Sequence, residues 1–308
     1  MDGFYGERAS TFFSKTVSGA RSASQRYPRE LWRSLKASAG WTTATNDVQT
    51  ALQGVVDSKF GAAWLGHASM LLRTGDELIL TDPVLSDRIG PRIAGRSFGL
   101  GRIGASPVGP GDLPRVKTIL LSHAHFDHLD RPTLMALASQ DVTIVTAAGT
   151  RDLVPRGFGR VIELPWGEKL TIGGVEIGAM QPAHWGARTA IDRSRGYNSY
   201  VIESRSSDRK RILFGGDTAM TRAFDNLGVD LAIMGVGGYN PWEHAHATPE
   251  QVWTMVDRMR ADRVLPMHHS TFPLSREPVG EPLERLDRAA GKASERIAML
   301  KPGDSIRD

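Results

Sequence analysis

Four side chains able to bind a metal fall within six positions of this 308-residue chain: His123, His125, Asp127 and His128. They follow directly on Val116-Lys117-Thr118-Ile119-Leu120-Leu121, a short run rich in apolar and β-branched residues that predicts a buried strand. In extended backbone, residues two apart point the same way, so His123 and His125 can share one cation. Asp130-Arg131-Pro132-Thr133 then predicts a helix start, with Asp130 as the cap and Pro132 in the first turn. The turn between them swings Asp127 and His128 toward a neighbouring position, where a second cation fits. Imidazole and carboxylate donors without thiolate suit zinc and, less specifically, manganese or iron. Left unpaired at a strand end, such groups would cost roughly 1–3 kcal/mol each. The spacing His-x-His-x-Asp-His is therefore poorly explained as a row of interior histidines bonded to backbone.

The elements that must position these groups are legible on both sides of the motif. Strands are predicted over 62–65 and 69–73. Thr74-Gly75-Asp76 turns the chain into a third strand at 77–81. His67 and the pair Asp82-Pro83 end these strands at one edge. Further strands are predicted at 142–146, 161–164, 169–172, 175–180, 197–202, 211–214, 230–234 and 263–267, with a closing strand at 296–300. Helices are expected from Thr133, after the capping sequence Thr248-Pro249-Glu250-Gln251, and over 281–291. His184 follows one strand through Gln181-Pro182-Ala183, Asp217 ends another after Gly215-Gly216, and His268 ends a third. All nine histidines, including His244, His246 and His269, fall at strand ends or adjoining loops. Scattered core histidines would not distribute that way, although His244 by itself reads as a surface-loop residue. Gly235-Val236-Gly237-Gly238 lacks the following helix of a dinucleotide fingerprint. Alternating strands and helices by themselves give an α/β class.

Six stretches carry a resemblance. They are Trp64-Leu65-Gly66-His67-Ala68-Ser69, Leu80-Thr81-Asp82-Pro83, Ser122 to Asp130, Pro182-Ala183-His184-Trp185, Phe214-Gly215-Gly216-Asp217-Thr218 and Met267-His268-His269-Ser270-Thr271-Phe272. In this order they resemble the metallo-β-lactamase fold superfamily. More narrowly, they are similar to the branch containing N-acyl-phosphatidylethanolamine-hydrolysing phospholipase D and its bacterial relatives. The resemblance implies an αβ/βα four-layer sandwich, two packed β-sheets with helices outside. It implies two divalent metal ions, one held by His123, His125 and His184, the other by Asp127, His128 and His268, with Asp217 bridging. It further implies hydrolysis by a hydroxide generated between the cations, with Asp127, Asp217 and His246 catalytic and His246 protonating the leaving group. His67 and Asp82 are expected close to the metal centre and, with Arg188 and His269, at the substrate. The implied substrate is a phosphodiester, including that of a phospholipid. The rival readings are a lactonase or esterase of the same fold and a non-catalytic metal-binding module. His269, Tyr197 and Tyr200 depart from the family pattern, where tryptophan is common.

Bulk properties narrow the classes. With 40% hydrophobic residues the chain can bury a sizeable core. No run of about eighteen apolar residues is present, which excludes a transmembrane helix. No secretory h-region is found, and the expectation is a cytoplasmic protein, with peripheral membrane contact left open. With no cysteine, the metal must use N and O ligands. A net charge of +4 gives mild attraction to anionic substrates or surfaces and no nucleic-acid footprint. The expected partner is thus a small-molecule or lipid substrate. Residues 1–58 read as a basic arm or helical extension, and 59–308 as the catalytic domain. The glycine-rich stretch Val84–Pro114 reads as a loop covering the substrate site, in which Arg88, Arg92, Arg96 and Arg102 could meet an anion.

Overall fold

The computed structural model describes residues 42–189, 192 and 194–308. Residues 1–41 of the expected basic arm therefore lie outside the described residues, as does Arg193. The chain divides into two units, residues 1–40 with 88–101 and residues 41–87 with 102–308. The described part of the smaller unit is two short antiparallel ladders, Arg88–Ile89 with Leu100–Gly101 and Arg92–Ile93 with Arg96–Ser97. Ala94 and Gly95 both adopt positive φ where the inner ladder reverses, as a tight hairpin turn requires. Within this unit the Arg88 guanidinium donates to the Gly99 carbonyl and that of Arg92 to Gly95.

The larger unit holds two sheets. In chain order its strands are β1 (Phe60–Gly66), β2 (Ser69–Thr74), β3 (Glu77–Thr81), β4 (Thr118–Leu121), β5 (Thr143–Thr146) and β6 (Arg160–Glu163). They continue as β7 (Lys169–Ile172), β8 (Val175–Met180), β9 (Ser199–Ser204), β10 (Arg211–Phe214), β11 (Val229–Gly235), β12 (Ala261–Met267) and β13 (Ser305–Arg307). The first sheet has the order β6-β5-β4-β3-β2-β1-β13 and the second β7-β8-β9-β10-β11-β12. Each is parallel at one end and antiparallel at the other. The pairing directions put the C-terminal ends of β1, β3 and β4 at one rim of the first sheet. In the second sheet they do the same for β8, β10 and β12. Those six ends carry His67, Asp82, the His123 motif, His184, Asp217 and His268.

Two-residue alternation sorts each strand's side chains into two cores. Ala62, Trp64, Leu120, Ile212, Phe214, Ile233 and Leu265 fill the space between the sheets. The residues between them in sequence face outward: Ala63, Leu65, Ile119 and Leu121 on the first sheet, and Leu213, Ala232 and Val264 on the second. Helix α1 (Asn46–Asp57) covers the first outer face with Leu52 and Val55, and α2 (Arg131–Ala136) adds Leu134. Helix α3 (Pro249–Met259) covers the second with Val252, Met255, Val256 and Met259. The result is the helix–sheet–sheet–helix layering of an αβ/βα sandwich. Because α1 contributes to this core, residues 46–57 pack with the larger unit, whereas composition groups them with the N-terminal extension.

Local chemistry explains the helix starts. Asp130 accepts from the Thr133 amide and hydroxyl to cap α2. Thr248 and Gln251 form a reciprocal capping box ahead of α3, with Pro249 in its first position. The last helix, α4, runs Glu281–Ala290. The closing strand is displaced from its expected place. Residues 291–296 form a 3-10 turn, Ile297 makes a lone bridge to Val264, and the strand that pairs with β1 is Ser305–Arg307. Ile297 and Ala298 are buried by this bridge and by the core, which apolarity alone cannot distinguish from strand pairing.

Candidate metal centre

The rim of the sandwich gathers donors from six separate stretches. The ligand atoms of His123, His125, His184 and Asp217 lie within 4.8 Å of one another, and so do those of His67, Asp127, His128 and His268. Asp217 stands between the two groups. Its Oδ2 is 3.8 Å from His123 Nε2 and 3.7 Å from His184 Nε2. The same oxygen is 3.1 Å from His128 Nε2 and 3.2 Å from His268 Nε2. His246 Nδ1 approaches it at 3.8 Å.

Closeness here is not hydrogen bonding. His128 Nε2, His268 Nε2 and Asp217 Oδ1 are buried yet have no hydrogen-bond partner. Buried donor atoms so close together and without partners fit a space that a cation would fill. The far side of several rings is anchored instead. His128 Nδ1 meets Asp82 Oδ2 at 2.7 Å, His184 Nδ1 meets the Ala245 carbonyl at 2.9 Å, and His123 Nδ1 meets Ser122 Oγ at 2.9 Å. Such outer partners fix which nitrogen offers its lone pair inward. The donor set, imidazole nitrogen and carboxylate oxygen, fits two divalent cations.

Electrostatics point the same way. Burial alone would raise Asp217, but His128, His268 and His246 hold it well below the usual carboxylate range. Burial opposes protonation of His128, yet Asp217 and Asp127 push it well above the ordinary imidazole value, and they push His268 up to about 9. The two carboxylates thus draw positive charge onto His128 and His268, the charge that a cation would supply. Burial pushes His125 down to about 4 and His184 to about 3, leaving neutral rings with lone pairs to donate.

The loops that carry these donors are tied to each other. β4 delivers the His123 motif, and its end is held by the second sheet. The Asn198 amide donates to the Ser122 carbonyl at 2.8 Å, and the Tyr200 hydroxyl donates to the Leu121 carbonyl at 2.9 Å. Gly216 has φ +57°, and a Cβ there would lie 3.0 Å from the Asn198 carbonyl and 3.1 Å from Ser122 Cβ. The motif before Asp217 therefore requires glycine. Thr218 joins the flanking loops, accepting from the Ala183 amide through Oγ1 and from the Ala247 amide through its carbonyl.

Three of the four residues expected at the substrate are placed differently, and the fourth, His269, lines a small space beside His268. Asp82 is fully buried beneath His128, bonded to the Ser122 amide and hydroxyl, so it orients a ligand and cannot touch a substrate. His67 is buried inside the second donor group, with Nε2 3.0 Å from Asp127 Oδ2. His269 packs its ring on Trp64 at 4.7 Å and meets Ser270 Oγ, outside both donor groups. Arg188 Nη1 donates to the Ala124 and Leu129 carbonyls, and its guanidinium lies over Phe126, so it braces the ligand loop. Arg102 donates to the Val84 and Ser86 carbonyls. Arg195 pairs with Asp152 and Asp192. His244 is exposed and belongs to neither group.

Two contributors escape a reading of the sequence. Ser122 couples Asp82 to His123; its place immediately before the motif is the available signal. Gly238, at φ +85°, brings its backbone between two rings, and a Cβ there would lie 3.1 Å from His246 Nδ1 and 3.2 Å from His268 Cε1. The partly exposed mouth of the centre is formed by His125, Phe126, Asp127, His184, Trp185 and His246. His123, His128, Asp217 and His268 form the buried floor.

A two-sheet sandwich with clustered His and Asp donors along one rim is the architecture of a metal-dependent enzyme. The chain belongs to the metallo-β-lactamase superfamily: residues 78–269 match the beta-lactamase superfamily domain. It is 30% identical over 269 residues to an uncharacterised protein of Mycobacterium tuberculosis, covering 81% of this chain and 69% of the relative. It is also 30% identical over 245 residues to the mitochondrial N-acyl-phosphatidylethanolamine-hydrolysing phospholipase D of Saccharomyces cerevisiae, covering 74% of this chain and 51% of the yeast enzyme. Among solved structures, a possible metal-dependent hydrolase from Veillonella parvula superposes with a TM-score of 0.66 at 17% identity, over 81% of this chain and 99% of that one. Among the described residues no helix is long and apolar enough to cross a membrane.

Proposed function

We propose that this hydrolase cleaves phosphodiesters, and that it does so with two divalent cations, zinc being the first choice for its donors. The observation that carries the reading is the position of Asp217 Oδ2 between the imidazoles of both donor groups. His123, His125 and His184 would hold one cation, Asp127, His128 and His268 the other, with Asp217 shared. Ions so held lower the pKa of a bound water toward about 7 and polarise a phosphoryl or carbonyl oxygen. The chain's own residues do the rest. Asp82, Ser122 and the Ala245 carbonyl keep the donor nitrogens turned inward. Trp185 packs at 4.7 Å from His125 and 4.4 Å from His184 and shields one side of the mouth from water.

His246 takes a different part from the one the resemblance implies. Burial pushes it down to about 3, and added positive charge would depress it further. A neutral ring is a poor proton donor to a leaving group, but its N–H can donate a hydrogen bond to a phosphoryl oxygen. The small space of about 80 Å³ beside His268 is lined by polar and apolar groups alike, His269, Ser270 and Glu277 with Ile103, Phe272 and Val279, and it adds no preference for an apolar substrate. The yeast relative is named for a phospholipid substrate, which supports the same class. A lipid phosphodiester would bring the protein to a membrane surface.

The test combines metal analysis with turnover. Two equivalents per chain, with metal-dependent hydrolysis of bis-p-nitrophenyl phosphate that chelation abolishes, is the expected result. Hydrolysis of lactones or carboxylic esters without phosphodiester turnover would transfer the assignment to the esterase reading. Less than one metal per chain would favour a binding module.

A further inference from the structure

His67 lies in a conformation that side chains other than glycine rarely adopt, with φ 53°. Three hydrogen bonds hold it there. Its amide donates to Thr271 Oγ1 at 2.8 Å, and its carbonyl accepts from Trp64 Nε1 at 2.9 Å and from the His268 amide at 3.1 Å. Two of the three partners belong to the segment that carries His268. Strained backbone persists only where its surroundings over-determine it, and it clusters at functional sites. What this arrangement delivers is one imidazole, buried, with Nε2 3.0 Å from Asp127 Oδ2 and its ring centroid 4.2 Å from that of His268.

Two roles are chemically open to that ring, and Nε2 distinguishes them. His123, His128 and His184 each engage Nδ1 with an outer partner. His67 Nδ1 is buried with no partner, and so is Nδ1 of His268, so Nδ1 alone does not separate the roles. Were Nε2 a metal donor, its lone pair would face the Asp127 oxygen 3.0 Å away with no hydrogen between them. Were Nε2–H a hydrogen-bond donor, Nδ1 would be only an unused lone pair beside the Phe272 ring, 5.3 Å away between centroids. Neutral imidazole carries one hydrogen, and the second arrangement places it where an acceptor exists.

We propose that His67 is a positioning residue for the second donor group, donating Nε2–H to Asp127 Oδ2 and holding that carboxylate in the orientation it shows. This rests on the two-cation reading above. A ligating carboxylate that lacks such a partner binds its metal about 10–100-fold more weakly.

The test compares His67→Gln with His67→Leu in the full-length chain. Both replacements share the same backbone strain, so they differ chiefly in whether an N–H can reach Asp127. Each protein is stripped with chelator, checked by circular dichroism and titrated with Co²⁺, following absorption bands and bound metal. The expected result is that His67→Leu weakens the second equivalent about 10–100-fold and leaves the first within about twofold. His67→Gln should restore most of that affinity with wild-type bands. Equal affinity in all three proteins overturns the proposal. So does a Gln variant as weak as Leu with altered bands, which would make His67 a direct ligand. Wild-type protein binding fewer than two equivalents would sink the two-cation reading itself, and this role with it.

Discussion

The two donor groups share Asp217 but are built on different terms. The first is three neutral imidazoles, two of them partly exposed at the mouth, anchored through Ser122 Oγ and a backbone carbonyl. The second is buried except for Asp127, which reaches the mouth, and is backed by the carboxylate of Asp82. A cation entering the first meets three neutral imidazoles, whereas one entering the second also meets the carboxylate of Asp127. The difference teaches that one half is set to exchange with solvent and the other to be held by its surroundings. Substitutions should separate the halves.

The largest effect is expected where the halves meet. Asp217→Asn removes the only carboxylate common to both groups, so metal content should fall at both and turnover should drop more than about 100-fold, beyond the range for loss of an outer partner. Elemental analysis with phosphodiester kinetics checks this. Retention of two metals per chain would show that the halves are independent. Asp82→Asn should act on one half alone. Its amide presents N–H to His128 Nδ1, favouring the wrong tautomer, so the second equivalent should weaken about 10–100-fold while the first is unchanged. Stepwise Co²⁺ titration separates the two equivalents.

The same contrast explains what is legible in the sequence. Donor types and their strand-end placement are local, so the pattern around His123, His184, Asp217 and His268 points to one rim from residue order alone. The layering follows from two-residue alternation on strands such as β4 and β10. What stays hidden are contacts between distant stretches. Asp82 ends a strand like a ligand does, and only the pairing of β3 with β4 puts it beneath His128. Arg188 carries a charge suited to phosphate, but the carbonyls of Ala124 and Leu129 take up its Nη1. The strand Ser305–Arg307 is short and polar at its ends, so its pairing with β1 leaves no apolar signature.

A smaller effect is expected just behind the rim. Tyr200→Phe removes the hydroxyl that donates to the Leu121 carbonyl and accepts from Asn198 Nδ2, a strap between the sheets. Stability should fall by about 1 kcal/mol, the ordinary worth of a buried hydrogen bond. Metal affinity should stay within about twofold, because no ring is re-aimed. Urea unfolding alongside Co²⁺ titration measures both. A loss of affinity as large as that of Asp82→Asn would mean that this strap sets the first donor group.

The smallest effect belongs to the outer layer, far from any donor. Glu250 on α3 pairs with Arg285 on α4, with Nη2 2.7 Å from Oε2. The hydrogen bond from Arg285 is the main reason that Glu250 falls from 4.5 to about 2. A depressed carboxylate stabilises the fold fully above its unfolded value and loses that contribution as pH falls from about 4.5 toward 2. The pair is largely exposed, so solvent screening limits its worth to less than about 1 kcal/mol. Glu250→Gln should therefore lower the melting temperature slightly at pH 7, with the difference from wild type closing as pH falls through that window. Metal content and turnover at pH 7 should not move. If they did, the helical layer would be coupled to the rim, and the division between a metal-bearing edge and an outer layer that only covers it would not hold.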